Sequence, residues 1–265
     1  MFPLYTKKLP ADAADLAVVL NESVNRIFSG VETPVKVRDK GYPHLAEIKI
    51  ALDGAELRSD PPSPPSTKGK SSPALQVDKL HLKAAGITLG PAVADLRLEA
   101  RDVLLHQAKD KAGEIVLVLQ SAADGEIEIN ADKSVLEDAI ATVAKAEAGK
   151  HGVAIDQVQL SVTSRSARSV DAEVQVRAKK LFFSTIIRIA AKLDLDEELN
   201  ATLSGVTCDG EGAIGSMACG FLSPHLEKVN GRTFPLMALP LGEVKLRDVR
   251  MEAGKRLTVS AEFGT

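Results

Sequence analysis

Five histidines, His44, His81, His106, His151 and His225, are the side chains best suited to proton transfer or metal ligation. None stands at a ligand spacing with another histidine or a cysteine. No Gly-x-Ser-x-Gly elbow is present, and no local context groups a serine, a histidine and an aspartate. A triad assembled from distant positions stays open. Gly210-Glu211-Gly212-Ala213-Ile214-Gly215 has the G-x-G-x-x-G spacing of a dinucleotide loop. No βαβ pattern surrounds it and no acid sits roughly 20 positions on, so Cys208-Asp209-Gly210 is expected to turn between strands. Asp194, Asp196, Glu197 and Glu198 concentrate charge without the spaced ligands and sharp glycine turn of a calcium loop. A solvated turn or strand edge is expected there. Cys208 and Cys219 are the only cysteines; two free, partly buried thiols are expected, or a disulfide if the compartment is oxidising. No catalytic residue, metal or cofactor is assigned.

The elements that would position a site are two amphipathic helices among long alternating segments. The first covers about residues 11–29 and puts Leu16, Val19, Leu20, Val24, Ile27 and Phe28 at i, i+3, i+4 spacing. Asp12 is its expected N-cap and Gly30 its stop. The second covers about 132–149, with Val135, Leu136, Ala139, Ile140 and Val143 on one face. Ser134 and Glu137 fit a capping box. A short third helix is expected from Ser223-Pro224 to Asn230-Gly231. Elsewhere apolar and polar residues alternate, as in Ile48/Ile50/Leu52, Leu96/Leu98/Ala100, Ile115/Leu117/Leu119, Val170/Ala172/Val174/Val176 and Leu257/Val259/Ala261. That pattern describes antiparallel strands with one wet face, and not a parallel doubly wound sheet. Residues 58–73 form a Pro/Ser/Lys-rich stretch expected to be a flexible loop. The order of helix and strands in 11–130 echoes that in 131–265, so a single domain of two pseudo-repeated halves is expected.

Composition narrows the function classes. The chain has 265 residues, 45% hydrophobic and 26% charged, with 3% aromatics and no Trp, so its core must be aliphatic. A net charge of −3 gives no electrostatic argument for nucleic acid. No run approaches the roughly 20 apolar residues of a membrane span. The first eight residues lack a signal-peptide h-region. The expected location is cytoplasmic for the chain as it begins, or the cell envelope if a leader precedes it.

Two apolar runs stand out. Leu181–Leu193 places Phe182, Phe183, Ile186, Ile187 and Ile189 on both faces of a strand, which then needs cover on both sides. A ligand, a membrane surface or more protein could supply it. Phe234-Pro235-Leu236-Met237-Ala238-Leu239-Pro240-Leu241 carries two prolines that forbid a central strand, and an apolar loop with adaptable Met237 could rim a pocket. The candidate lining set is Phe182, Phe183, Ile186, Ile187, Ile189, Phe221, Leu222, Phe234, Met237 and Leu239, with Leu20, Val24, Ile27 and Phe28 of the first helix.

Leu239–Ala261, with its LP-x-G turn, strand, short turn and closing strand, resembles the ending of the LmeA-like family of bacterial envelope proteins. Val77–Leu105 resembles that family's run of long strands, and the helix-then-strands order is similar. The family belongs to the tubular lipid-binding (TULIP, BPI-like) superfamily. The resemblance implies an α+β fold in which a long, strongly curved antiparallel sheet wraps long amphipathic helices. It also implies non-catalytic binding or transfer of a lipid or other amphiphile in the seam, with transient membrane contact. The alternatives are a structural or protein-interaction module with a fully packed core, and a lipid hydrolase whose histidine lies within reach of a distant serine or aspartate.

Overall fold

The computed structural model describes residues 2–150, 152–180, 183–236 and 244–265. Its first part begins with β1 (Phe2–Pro3), α1 (Ala13–Ile27), β2 (Phe28–Ser29), β3 (Val35–Asp39), β4 (His44–Ala51) and β5 (Glu56–Leu57). A long hairpin of β6 (Lys68–Leu89) and β7 (Ala92–Lys109) follows, then β8 (Ile115–Ser121) and β9 (Asp124–Asp132). After α2 (Lys133–Gly149) come β10 (Ala154–Ser166), β11 (Ser169–Lys180), β12 (Phe183–Leu195) and β13 (Asn200–Gly210). The chain closes with α3 (Gly212–Val229), β14 (Thr233–Pro235), β15 (Leu246–Ala253) and β16 (Arg256–Phe263). The fold is α+β, dominated by large antiparallel sheets.

Two sheets form. The larger has the path β15-β16-β9-β7-β6-β4-β3, with β1, β2, β5 and β8 attached beside it. Its pairings are antiparallel except that β4 and β5 both run parallel to β6. The smaller has the order β10-β11-β12-β13-β14, antiparallel throughout. One edge of β7 serves two partners: Asp95–Arg101 pair with β9, and Leu104–Lys109 pair with β8. The change of partner falls at Asp102, whose φ of 48° is a left-handed conformation that Asp tolerates better than most residues.

The main core is aliphatic, as the composition demands. Leu16, Leu20, Val24 and Ile27 of α1 are buried, with all but Ile27 packed into the core formed by Leu45, Leu75, Val77, Val103, Ile127, Met251, Val259 and Phe263 from the large sheet. Val170, Leu195 and Ala201 of the small sheet, with Leu199 in the β12–β13 turn, join the same core. Asp12 caps α1 by accepting from the Asp15 N–H at 2.9 Å. Asn21 fastens α1 to β3, donating to the Val35 carbonyl and accepting from the Val35 N–H.

Several expectations change here. Helix one stops at Ile27, three residues before Gly30, because Phe28 and Ser29 turn into a strand that pairs with β5. Helix two has the expected span, but Asp132 makes no side-chain cap. Glu137 does not close a capping box; its carboxylate accepts from the Leu160 N–H on β10 at 2.8 Å. The Pro/Ser-rich loop is shorter than 58–73, since β6 begins at Lys68 and extends through Pro73. The C-terminal hairpin β15–β16 returns to the large sheet, where β16 pairs with β9.

The outer face of the large sheet carries a row of like charges. Glu126 on β9 lies directly opposite Glu99 on β7 and Glu262 on β16. Directly opposed like charges destabilise a sheet. Glu126→Lys is therefore expected to raise stability by about 0.5 kcal/mol at low ionic strength. Urea midpoints should show the gain shrinking as salt screens the row.

Candidate functional site

The candidate site is built around α3 and the strands beneath it. β13 ends at Gly210, Glu211 makes the corner and α3 starts at Gly212. Backbone meets backbone here. A Cβ on Gly210 would lie 2.2 Å from the carbonyl carbon and oxygen of Gly215. A Cβ on Gly215 would lie 2.5 Å from Gly210 and 2.7 Å from the Thr185 hydroxyl. Thr185 donates to the Glu211 carbonyl at 2.9 Å, the Glu211 N–H donates to the Ile186 carbonyl at 2.9 Å, and Arg188 pairs with the Glu211 carboxylate at 2.7 Å. The G-x-G-x-x-G spacing thus serves a strand-to-helix corner with close packing, and the expected strand-to-strand turn at 208–210 is corrected.

Two further expectations are overturned. Helix three begins at Gly212, eleven residues before Ser223, and Pro224 lies in its interior. Pro224 has no N–H to donate to the Gly220 carbonyl one turn back. Cys208 and Cys219 are not free thiols; they form a disulfide with Cα atoms 5.6 Å apart, clamping α3 onto β13.

Beneath α3 lies a second, small core of Val176, Ala178, Ile187 and Cys219, with Val174, Ile189, Cys208, Ala218 and Leu222 partly buried against it. The opposite side of α3 is bare. Ile214 is 41% exposed, Met217 63% and Phe221 74%. Phe183, two residues before Thr185 on the strand face that meets α3, is 61% exposed. From Gly212 to Pro224 the chain has no ionisable side chain.

The lining candidates separate into groups. Leu20 and Val24 are packed inside the main core and Ile27 is buried with them, while Phe28 is half-buried against that core. Ile187 is buried in the second core, and Ile189 and Leu222 lie partly buried against it. Ile186 is half-buried on the other strand face. β12 is a central strand, but its cover is uneven, with α3 on one face only. Phe234 is 43% exposed on the edge strand β14. Phe182, Met237 and Leu239 lie outside the described residues. Sequence reasoning missed Ile214 and Met217; their i, i+3, i+7 spacing with Phe221 in an uncharged run was the available signal.

The polar features are modest. A crevice of about 640 Å³ opens between α1 and the Pro-rich loop, lined by Asn25, Arg26, Arg58, Asp60, Pro61, Pro62 and Ser63. One of about 320 Å³ crosses the small sheet beside Ser161, Asp171, Glu173 and Lys192. Neither is an apolar trough. Ser71 lies 3.1 Å from His106 Nδ1 and Asp78 lies 2.6 Å from His44 Nε2, but no carboxylate bonds to His106 among the described residues and neither pair lines these crevices.

The acidic stretch after Asp194 forms the β12–β13 turn, as expected. Asp196 accepts from the Glu198 N–H, the Asn200 N–H and the Asn200 amide at 2.8–2.9 Å. Burial pushes its carboxyl up, but the Asn200 and Glu198 hydrogen bonds outweigh that and hold it below the ordinary value. A depressed folded value means stability that is present above the ordinary carboxylate range and lost as pH falls through the folded value. Asp196→Asn is expected to flatten the acid limb of a urea-midpoint profile below about pH 5. No family model, curated protein or solved structure significantly matches this chain.

Proposed function

We propose that the protein binds a lipid or another amphiphile, without catalysing a reaction, along the outward side of α3 and the start of β12. The observation that carries this reading is the uncharged run Gly212–Pro224, which presents Ile214, Met217 and Phe221 to solvent next to a very small core. Exposed contiguous apolar surface on a soluble chain marks a site of interaction. An acyl chain laid against it gains about 0.8 kcal/mol per covered methylene. The resemblance to tubular lipid-binding proteins supports the same ligand class and adds the finer picture of a strongly curved sheet wrapped around a helix with lipid in the seam. In this chain protein fills the space between helix and sheet at both α1 and α3, so the surface left for the ligand is the outward side of α3. A disulfide between Cys208 and Cys219 accords with an oxidising compartment such as the cell envelope.

The test is native purification followed by solvent extraction and mass spectrometry for co-purifying lipid, with titration of a fluorescent fatty acid. Saturable binding is expected, and Phe221→Ser should weaken it by at least about tenfold, given the 1.5–3 kcal/mol carried by one aromatic side chain. Its melting temperature should not fall, because Phe221 is exposed. No extracted lipid and no saturable binding would end the reading.

The packed burial of α1 favours a second reading, a protein-interaction module with no ligand. Ile187→Glu, which buries a charge beneath α3, is expected to destabilise by about 3 kcal/mol in either case. In the interaction module there is no fatty-acid affinity for Phe221→Ser to change.

A further inference from the structure

The crossover between β5 and β6 has a conformation dictated by its residues. In Asp60-Pro61-Pro62-Ser63-Pro64-Pro65 the four prolines hold φ near about −65°. Asp60, Pro61, Ser63 and Pro64 each precede a proline, which disfavours the helical region. Polyproline II is what remains, about 19 Å long over these six residues. β5 pairs in parallel with β6 at Thr88 while β6 starts at Lys68, so the crossover must return along β6, and an extended chain makes that span. Polyproline II carries no internal hydrogen bonds. Accordingly, among the described residues, none of 59–67 joins a backbone hydrogen bond. Residues 60–64 and Ser66 are exposed. The triplet Pro-Pro-Ser runs twice, so at three residues per turn Pro61 and Pro64 share one edge. Arg58 stands three residues earlier and completes the spacing Arg-x-x-Pro-x-x-Pro. Its Nε donates to the Asn25 carbonyl at 2.8 Å and its N–H to the Ile27 carbonyl at 3.0 Å, which fixes the foot of the rod on α1. The crevice of about 640 Å³ between Pro61-Pro62 and Arg26 leaves the rod standing off the helix.

We propose that this rod docks in the groove of a partner protein domain whose floor is lined by aromatic rings and whose rim carries carboxylates. Pro61 and Pro64 sit between the rings, and Arg58 meets a carboxylate at one end. The rod is already in its bound conformation, so docking orders little chain; this is the physical reason aromatic grooves select proline rods. Residues 58–70 hold three basic residues and one acidic residue, Asp60, so an acidic rim fits them better than a basic one. The crevice behind Pro61 and Pro62 gives the wall of the groove room to close around the rod. Docking there does not depend on a ligand at α3.

The probe is a purified SH3 domain that accepts arginine-led Pro-x-x-Pro ligands. The chain contains no Trp, so the emission of the tryptophan in the SH3 groove reads binding without interference. Titration with the intact chain is expected to give a saturable blue shift. Pro61→Ala combined with Pro64→Ala should weaken binding at least about tenfold, and Arg58→Met about fivefold. Pro62→Ala combined with Pro65→Ala leaves the Pro61 edge in place and should weaken it no more than about threefold. Phe221→Ser on α3 should leave it unchanged. The absence of a saturable shift overturns the proposal, as does binding that survives loss of Pro61 and Pro64. Equal losses in the two proline pairs also overturn it, because the prolines would then act by stiffening the chain and not by their edge. The urea midpoint of the Pro61/Pro64 variant should fall only by the small amount a more flexible loop costs. Collapse of the fold in that variant would make the rod a strut and overturns the docking as well.

Discussion

Phe263→Ala is expected to destabilise the protein by about 4 kcal/mol. Phe263 is fully buried two residues from the end of the chain, and its backbone pairs with Gly125 across β16 and β9. Its ring lies over that glycine. A Cβ on Gly125 would come within 2.2–2.7 Å of three ring atoms. The ring therefore occupies the place of the missing side chain and covers the strand where it would otherwise be thin. Deleting the ring leaves a cavity and uncovers that backbone. Gly125→Ala alone is expected to cost about 2 kcal/mol by pushing on a ring that has nowhere to go. In the double variant the alanine takes up space the ring has vacated. The combined loss should fall short of the sum by about 1 kcal/mol. Urea unfolding of the four proteins closes the cycle, and strict additivity would show that glycine and ring do not act as a pair.

The elements with a simple period were legible in the sequence. Leu96, Leu98 and Ala100 or Leu257, Val259 and Ala261 alternate because one strand face meets the core, and the period needs no knowledge of partners. Pairing was not legible. Nothing local in Arg256–Phe263 reveals that it crosses back to β9, or that β4 runs parallel to β6, because pairing is settled by which edges remain open after the hairpins close. Helix one ended early for a similar reason: the β5 edge captured Phe28 and Ser29. Helix three was hidden by its composition. Gly212, Gly215, Gly220 and Pro224 each argue against a helix, by about 1 kcal/mol for a glycine and about 3 for the proline. Tertiary contacts override that preference. At the site, Phe183 and Phe221 were legible as apolar residues, but their exposure was not, since it depends on which side of α3 the disulfide and the glycine contact turn inward.

Those same residues make α3 the element most dependent on its disulfide. The Cys208–Cys219 bond spans 11 residues. Closing so short a loop in the unfolded chain stabilises the native state by roughly 3 kcal/mol. The surrounding core is too small to replace it: among the described residues, Val176, Ala178 and Ile187 are buried in it beside Cys219. Replacing both cysteines by serine is expected to lower stability by about that 3 kcal/mol and to act locally. The main core, which draws on both sheets and α1, makes no use of the bond, so a lower transition should separate from a second one that keeps its midpoint. Amide exchange should show protection lost over Gly212–Val229 and retained over β6 and β7. Treatment of wild type with a reductant should reproduce the serine variant. Unchanged exchange in α3 after reduction would mean that the Gly210–Gly215 contact holds the helix by itself. If α3 is released, the apolar side that carries Ile214, Met217 and Phe221 loses its fixed orientation. Fatty-acid binding should then weaken while the large sheet stays folded.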